Sequence, residues 1–468
     1  MGRVWAVAKH MIAEGVRMKL ALVFLFLIGA VVLGLPFSVS GDSSLTGAVQ
    51  SFMSYGLTTT SAMLGMLTIF LSRSISDELV HRQIFLVTTK PIPRWQYVLG
   101  KWLGITLLNV VFLGFSTLTI YGMVHYIRWT RPPIDDRFDK AELENEVLAA
   151  RHAISVSVPD FTQDARVEFD RNLEEGLYQD VPQFNPDFEK QRLAKKHEAR
   201  WRIVGPRDFR TFDFENVLCE RTKENLIQLR YKAEVSQYAP DEVLRAVWRF
   251  GDPYKKTPQY EVRVKHVVGR FQTVRFPADA VAEDHTLTAF FYNVNPFDGE
   301  PQYYNIQEFR SSDGVEVLFP VGGFGWNLLR TVTIILCKLM FLAAVSVFMV
   351  TLFSFPVACL TSFTVFVLAG VRKFLFDALD LASGDHASMF SSLKEFAVQG
   401  LFHVFTLMSW VIPDFARFDP VETFVGGRNV SLVWVLQAVS ELVLIKTVVI
   451  LGLAMLLFYR REVAELSF

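Results

Sequence analysis

Histidine, cysteine, serine and carboxylate side chains could supply a nucleophile, a proton carrier or a metal ligand, but none here falls at the spacing such chemistry needs. His81, His266, His285, His386 and His403 are scattered, with no H-E-x-x-H and no C-x-x-C, so no metal site is expected. A G-x-S-x-G nucleophile elbow is also absent, and no catalytic residue is nominated. The Gly100-Lys101 pair has Trp95 where the first glycine of a phosphate loop belongs and Trp102 where its hydroxyl residue belongs, so nucleotide phosphates are not held by that device.

What stands out instead is charge in unusual company. The stretch 73–101 begins with the acidic pair Asp77-Glu78 and continues through an apolar turn, Ile84-Phe85-Leu86-Val87. Pro91 and Pro93 break it, and it returns through Arg94 to Gly100-Lys101. Two apolar runs flank it. Its cations and its Trp95 and Tyr97 suit a loop at a membrane surface. Four adjacent apolar residues have no use in a loop that faces only water, whereas a short helix docking into another protein's groove would use them.

These residues must be positioned by membrane spans. Of 468 residues, 51% are hydrophobic and 20% charged, which fits a polytopic α-helical membrane protein with a sizeable water-soluble part. The net charge of -1, with no basic aromatic-interleaved patch, gives no reason to expect nucleic acid as a partner. Three cysteines, two of them in apolar runs, give no intrachain disulfide to expect. A bilayer core of about 30 Å needs about 20 apolar residues. Six runs qualify, giving about six transmembrane helices: Leu20 to Phe37, Phe52 to Leu71, Trp102 to Tyr126, Trp326 to Ser354, Phe355 to Val371 and Val433 to Phe458. Residues 1–19 carry Val4, Val7, Ala8, Met11 and Ile12 on one helical face, as an interfacial amphipathic helix would.

Arg73, Arg82, Lys90, Arg94 and Lys101 place the 73–101 loop on the cytoplasmic side of a plasma membrane, with both termini and the 459–468 tail inside. Arg372 and Lys373 run against that count. The insert 127–324 is then extracytoplasmic, and at that length it is a domain. Residues 139–200 read as short amphipathic helices. Within 208–320 the period switches to two: Ile227, Leu229, Tyr231, Ala233 and Val235 alternate with polar residues, and the pattern recurs at 244–250, 260–268, 286–292 and 315–319. The expected fold class is therefore a helical membrane part (20–126, 325–371 and 431–458) with an α+β domain, a helical arm plus an antiparallel β-sandwich, between spans three and four. The segment 372–430 holds an apolar stretch, 396–412, read as an interfacial or re-entrant helix on the external side.

Glu78, Pro91, Arg94, Gly100 and Lys101 sit in a pattern that resembles the permease subunits of ABC-2 type transporters, E-x-E-x-G-T-x-x-x-L-L-x-x-P-x-x-R-x-x-x-x-x-G-K, with Arg82-Gln83 replacing its Gly-Thr. The resemblance extends to the N-terminal helix, to Pro413-Asp414-Phe415 and Phe418-Asp419-Pro420, and to the basic tail; it does not cover the insert. It implies a transport subunit that is not itself an enzyme and binds no cofactor. It also implies a cytoplasmic ABC ATPase carrying ATP and Mg, a second permease copy or paralogue, and an exporter or extrusion function. The ATPase-coupling residues are then Asp77, Glu78, Ile84, Phe85, Leu86, Pro91, Arg94, Gly100 and Lys101. An envelope partner at the external domain would fit the same scheme. The rival is a non-transporting membrane receptor or scaffold that displays its β-domain. Lys338 and Glu441 lie inside spans four and six at matching depth, and an intramembrane ion pair between them is expected. The alternative pairs Glu441 with Lys446. Thr58 to Ser61 and Asn109 could line a path, although helix-packing hydroxyls are commoner.

Overall fold

In lipid every backbone donor must be met within its own segment, so apolar runs fold as helices. The computed structural model describes residues 2–38, 45–80, 93–130, 140, 143–178, 186–235, 243–297, 306–309, 314–383 and 412–460. The chain divides into a helical unit, Met1–Ala150 with Gly322–Phe468, and a second unit, Arg151–Val321. Both divisions fall inside the 127–324 expected from composition.

The helical unit begins with α1 (Gly2–Arg17), α2 (Leu20–Ser38), α3 (Leu45–Leu71), α4 (Arg73–Val80) and α5 (Arg94–Thr130). Among the described residues, five helices are long and apolar enough to cross a membrane: Leu45–Val80, Arg94–Thr130, Phe324–Leu352, Phe355–Arg372 and Leu432–Tyr459. The first expected span passes that test only jointly with α1, across a 67° bend. The bend falls at Lys19, which has a left-handed φ of 58°. The apolar face of α1, with Val7, Ala8, Met11 and Gly15 buried, packs on α5.

In the second unit, α6 (Thr162–Glu174) and α7 (Pro186–Trp201) pair around Phe169 and Leu193. Among the described residues the strands form two four-stranded antiparallel sheets. One runs β1 (Ala149–Ser155), β11 (Val315–Gly323), β4 (Leu226–Lys232), β8 (Phe271–Pro277). The other runs β3 (Phe209–Phe214), β9 (Leu287–Tyr292), β6 (Val243–Phe250), β7 (Tyr260–Val267). A small third sheet joins β2 (Ile203–Val204), β10 (Gln307–Glu308) and β5 (Glu234–Val235). The two large sheets meet through aromatic side chains: Phe250 stacks on Phe276 at 3.8 Å between centroids, and Tyr231 meets Trp248 at 5.1 Å. Such pairs contribute roughly 0.5–1.5 kcal/mol each beyond their burial. The alternating strands thus form the expected sandwich, but β1 falls within the stretch read as helices. Its sequence, AARHAIS, has no clean alternation, and pairing with β11 makes it a strand.

Beyond the insert, α8 (Phe324–Leu352) and α9 (Phe355–Ser383) pack together across a short break at Phe353-Ser354, so the Ser354-Phe355-Pro356 sequence is a reversal and not a kink. After a short helix, α10 (Val421–Val425), the last span runs through α11 (Leu432–Ala438), a π-helical stretch Val439–Thr447 and α12 (Val448–Arg460). The re-entrant reading of 396–412 lies outside the described residues except at Ile412. From there the chain does run into the helical unit: Ile412, Phe415, Phe418, Val421 and Phe424 belong to its core.

Candidate functional site

The site grows from two glycines. A Cβ on Gly100 would lie 2.6 Å from Val7 Cβ and 2.9 Å from the Val4 carbonyl; on Gly104 it would lie 2.6 Å from Met11 Cβ and 2.9 Å from the Ala8 carbonyl. A side chain at either position would push α1 off α5, so this G-x-x-x-G pair sets how closely the helices approach. The close approach covers Lys101, whose side chain is 1% exposed.

A buried ammonium needs partners. Lys101 Nζ is 2.7 Å from Glu78 Oε1 on α4, 3.2 Å from Glu14 Oε2 on α1 and 3.2 Å from Ser74 Oγ. Tyr97 donates its hydroxyl to Glu78, and Ser74 donates to Glu14. Three helices are thereby joined by one charge cluster, in which every charged member is shared. His10, 65% exposed, reaches Glu78 at 3.5 Å. His10, Glu14 and Glu78 converge as metal ligands do, and the Lys101 ammonium stands against both carboxylates as the cation of an ion-pair junction. Beside it, Arg94 donates to the Phe458 and Tyr459 carbonyls at 3.1 and 2.9 Å, engaging the end of the last helix. Tyr97 stacks on Phe458 at 5.9 Å.

Of the residues read as ATPase-coupling, then, Glu78, Gly100 and Lys101 lie inside this junction, Arg94 lies at its edge, and Asp77 is solvent-facing beside Arg73 at 3.5 Å. Ile84, Phe85, Leu86 and Pro91 lie outside the described residues. Sequence reasoning missed Glu14, Ser74 and Tyr97. The available signal was an acid on the otherwise cationic face of α1, which would need a buried cation opposite it.

The expected pair of Lys338 with Glu441 is corrected. Lys338 meets Asp419 at 3.6 Å, while Glu441 meets Lys446 at 3.6 Å and Arg417 at 4.0 Å. The alternative Glu441–Lys446 contact is therefore present, and the physical reason for the rest is the 412–430 segment. It enters between the helices and offers a counter-charge to each span. Its path is fixed by backbone and side-chain bonds, from Phe415 N to the Ala369 carbonyl at 3.0 Å and from Arg372 to the Ile412 carbonyl at 3.0 Å. Arg372, which ran against the inside-positive count, is engaged here. At its far end Asn327 and Arg330 hold Arg428, Asn429 and Val430. Asn109 and Thr68 bond each other in the core between α3 and α5, a packing role rather than a path.

No family model, no curated protein and no solved structure matches this chain.

Proposed function

We propose that this chain is the membrane subunit of an ATP-driven exporter or extrusion system, moved by a separate cytoplasmic ATPase that docks on the 81–92 segment. The observation that carries the reading is the junction of Glu78, Lys101, Tyr97 and Glu14, because it holds both roots of that segment, α4 and the start of α5, against α1. A loop that receives a push from a partner transmits it only if its roots are stiff. Here the roots are cross-linked by buried charge, and Arg94 carries the link to the end of the last helix. Glu78, Gly100 and Lys101 act in this scheme as positioning residues, and Ile84, Phe85 and Leu86 as the contact. Two copies, or this chain and a paralogue, form the pathway.

The test is affinity purification of the chain from its native membrane. An ATPase with a phosphate loop is expected to co-purify with the wild type and to be lost from Ile84→Asp/Phe85→Asp, while that variant keeps wild-type yield and elution volume. Recovery of the same ATPase with both proteins would show that the loop is not the docking surface. If no ATPase is recovered with either, the receptor or scaffold reading takes precedence.

A further inference from the structure

A cavity of about 390 Å³ lies within the helical unit, lined by Thr58 and Ser61 of α3, Lys338 of α8, Phe366 of α9, and Phe415 and Asp419 of the 412–430 segment. Small-molecule sites typically enclose about 300–1,000 Å³. Lys338 lies 14 residues into α8, about 21 Å along it, so the charge pair is deep within the span.

Its polar groups are incompletely used. Lys338 is 12% exposed, yet among the described residues its ammonium has only the 3.6 Å contact to Asp419 and the face of the Phe415 ring at 5.8 Å. Asp419 is 55% exposed, and its Oδ1 also accepts from Val421 N at 3.4 Å. The Thr58 and Ser61 hydroxyls make no hydrogen bond among the described residues. The cavity therefore presents three donors and one carboxylate between aromatic walls, with no net charge.

From this we infer that the cavity binds a small zwitterion with an apolar substituent, a molecule carrying an ammonium and an acid group a few bonds apart. An anion placed on Lys338 alone would draw it from Asp419, and a cation placed on Asp419 alone would strand Lys338, a nearly buried ammonium whose unpaired charge is costly. A zwitterion answers both charges at once: its acid meets Lys338 and the two hydroxyls, its ammonium meets Asp419, and its apolar part lies on Phe366 and Phe415. Free amino-acid-like molecules and aminophospholipid head groups share this chemistry. The inference concerns binding and stands apart from the permease reading, since it needs no ATPase.

The test uses the full-length protein with two arms, L-phenylalanine in detergent and phosphatidylethanolamine in phosphatidylglycerol nanodiscs. At least one is expected to bind. Phenethylamine and N-acetylphenylalanine, or in the lipid arm phosphatidylglycerol alone, are expected to bind at least about ten-fold more weakly. Asp419→Asn and Lys338→Met should each lose about ten-fold or more, and the exchanged pair Lys338→Asp/Asp419→Lys should recover most of the affinity. Melting temperature and elution volume establish that each variant is folded. Binding in neither arm overturns the inference. So does equal binding of the singly charged analogues, or wild-type affinity in folded Asp419→Asn and Lys338→Met.

Discussion

Replacing Lys101 by methionine tests the junction where it is most exposed to refutation. Lys101 Nζ stands 2.7 Å from Glu78 and 3.2 Å from Glu14. At an effective dielectric constant of about 20 these are gross attractions of about 6 and 5 kcal/mol, from 332/(20 × 2.7) and 332/(20 × 3.2). Desolvation of three charges opposes most of that sum. The net effect of the substitution comes chiefly from what it leaves behind, a carboxylate on Glu78 that is buried and lacks a cation, and breaking such a pair costs about 3–5 kcal/mol. Glu14, a quarter exposed, can turn to water and adds little.

The cost should vanish when the stranded partners leave too. In Lys101→Met/Glu78→Met the charge is gone, but Tyr97 loses its acceptor, at about 1–3 kcal/mol. Adding Tyr97→Phe removes that as well, so the triple variant should lie within about 1 kcal/mol of the wild type. Reversible unfolding in mixed micelles, run as a mutant cycle, measures these differences. Additive effects of Lys101→Met and Glu78→Met would refute the argument, because independent side chains do not share one buried charge balance. A Lys101→Met variant as stable as the wild type would refute it equally.

Other outcomes follow from the same geometry. Gly100→Ala puts a methyl group against Val7 and the Val4 carbonyl and should destabilise by about 1–3 kcal/mol. It should also make a cysteine placed at the fully buried Ala8 react with maleimide several-fold faster, and an unchanged rate would mean that α1 has not moved. In the second unit, burial holds His266 down at about 4, against an ordinary 6.5, with the Gln307 side chain opposing the shift. A depressed histidine favours folding while it is neutral, so its contribution is whole above about pH 6.5 and falls away toward pH 4, by about 3 kcal/mol in all. Hydrogen exchange in the Tyr260–Val267 strand should accelerate over that window and do so much less in His266→Gln; identical pH profiles would remove His266 from the account.

Much of this was legible in the sequence wherever one local rule decides the outcome. Apolar length located the spans Phe324–Leu352 and Leu432–Tyr459 within a few residues, and strict alternation located β4, β6, β7 and β9. What was not legible depends on partners distant in the chain. β1 is a strand because β11 lies beside it, and β8 follows β7 so closely that only its pairing with β4 separates the two in character. At the site, Glu78, Gly100 and Lys101 stood out from their company, but their burial did not, because α1, far upstream in the chain, covers them. Lys338 and Glu441 were recognised as charges in need of partners. Glu441 meets Lys446 on its own span, but Asp419, the partner of Lys338, and Arg417, the second partner of Glu441, lie in a polar stretch whose own hydrophobicity gives no sign that it enters the helical unit.

The first and last strands of the insert, β1 and β11, are neighbours in one sheet, and a Cβ on Gly322 would lie 3.7 Å from that of Ala150. The helical unit therefore leaves off and resumes at almost one point. Bringing the ends of a flexible chain of 171 residues (321 − 151 + 1) together would cost about 4–5 kcal/mol in configurational entropy, as (3/2)RT ln n. The sandwich meets that cost internally when its end strands pair. To the helices, 171 residues then behave as a tight connection, and the insert is a module that can be lengthened, exchanged or cut back to a few residues while the register of α5 against α8 stays the same.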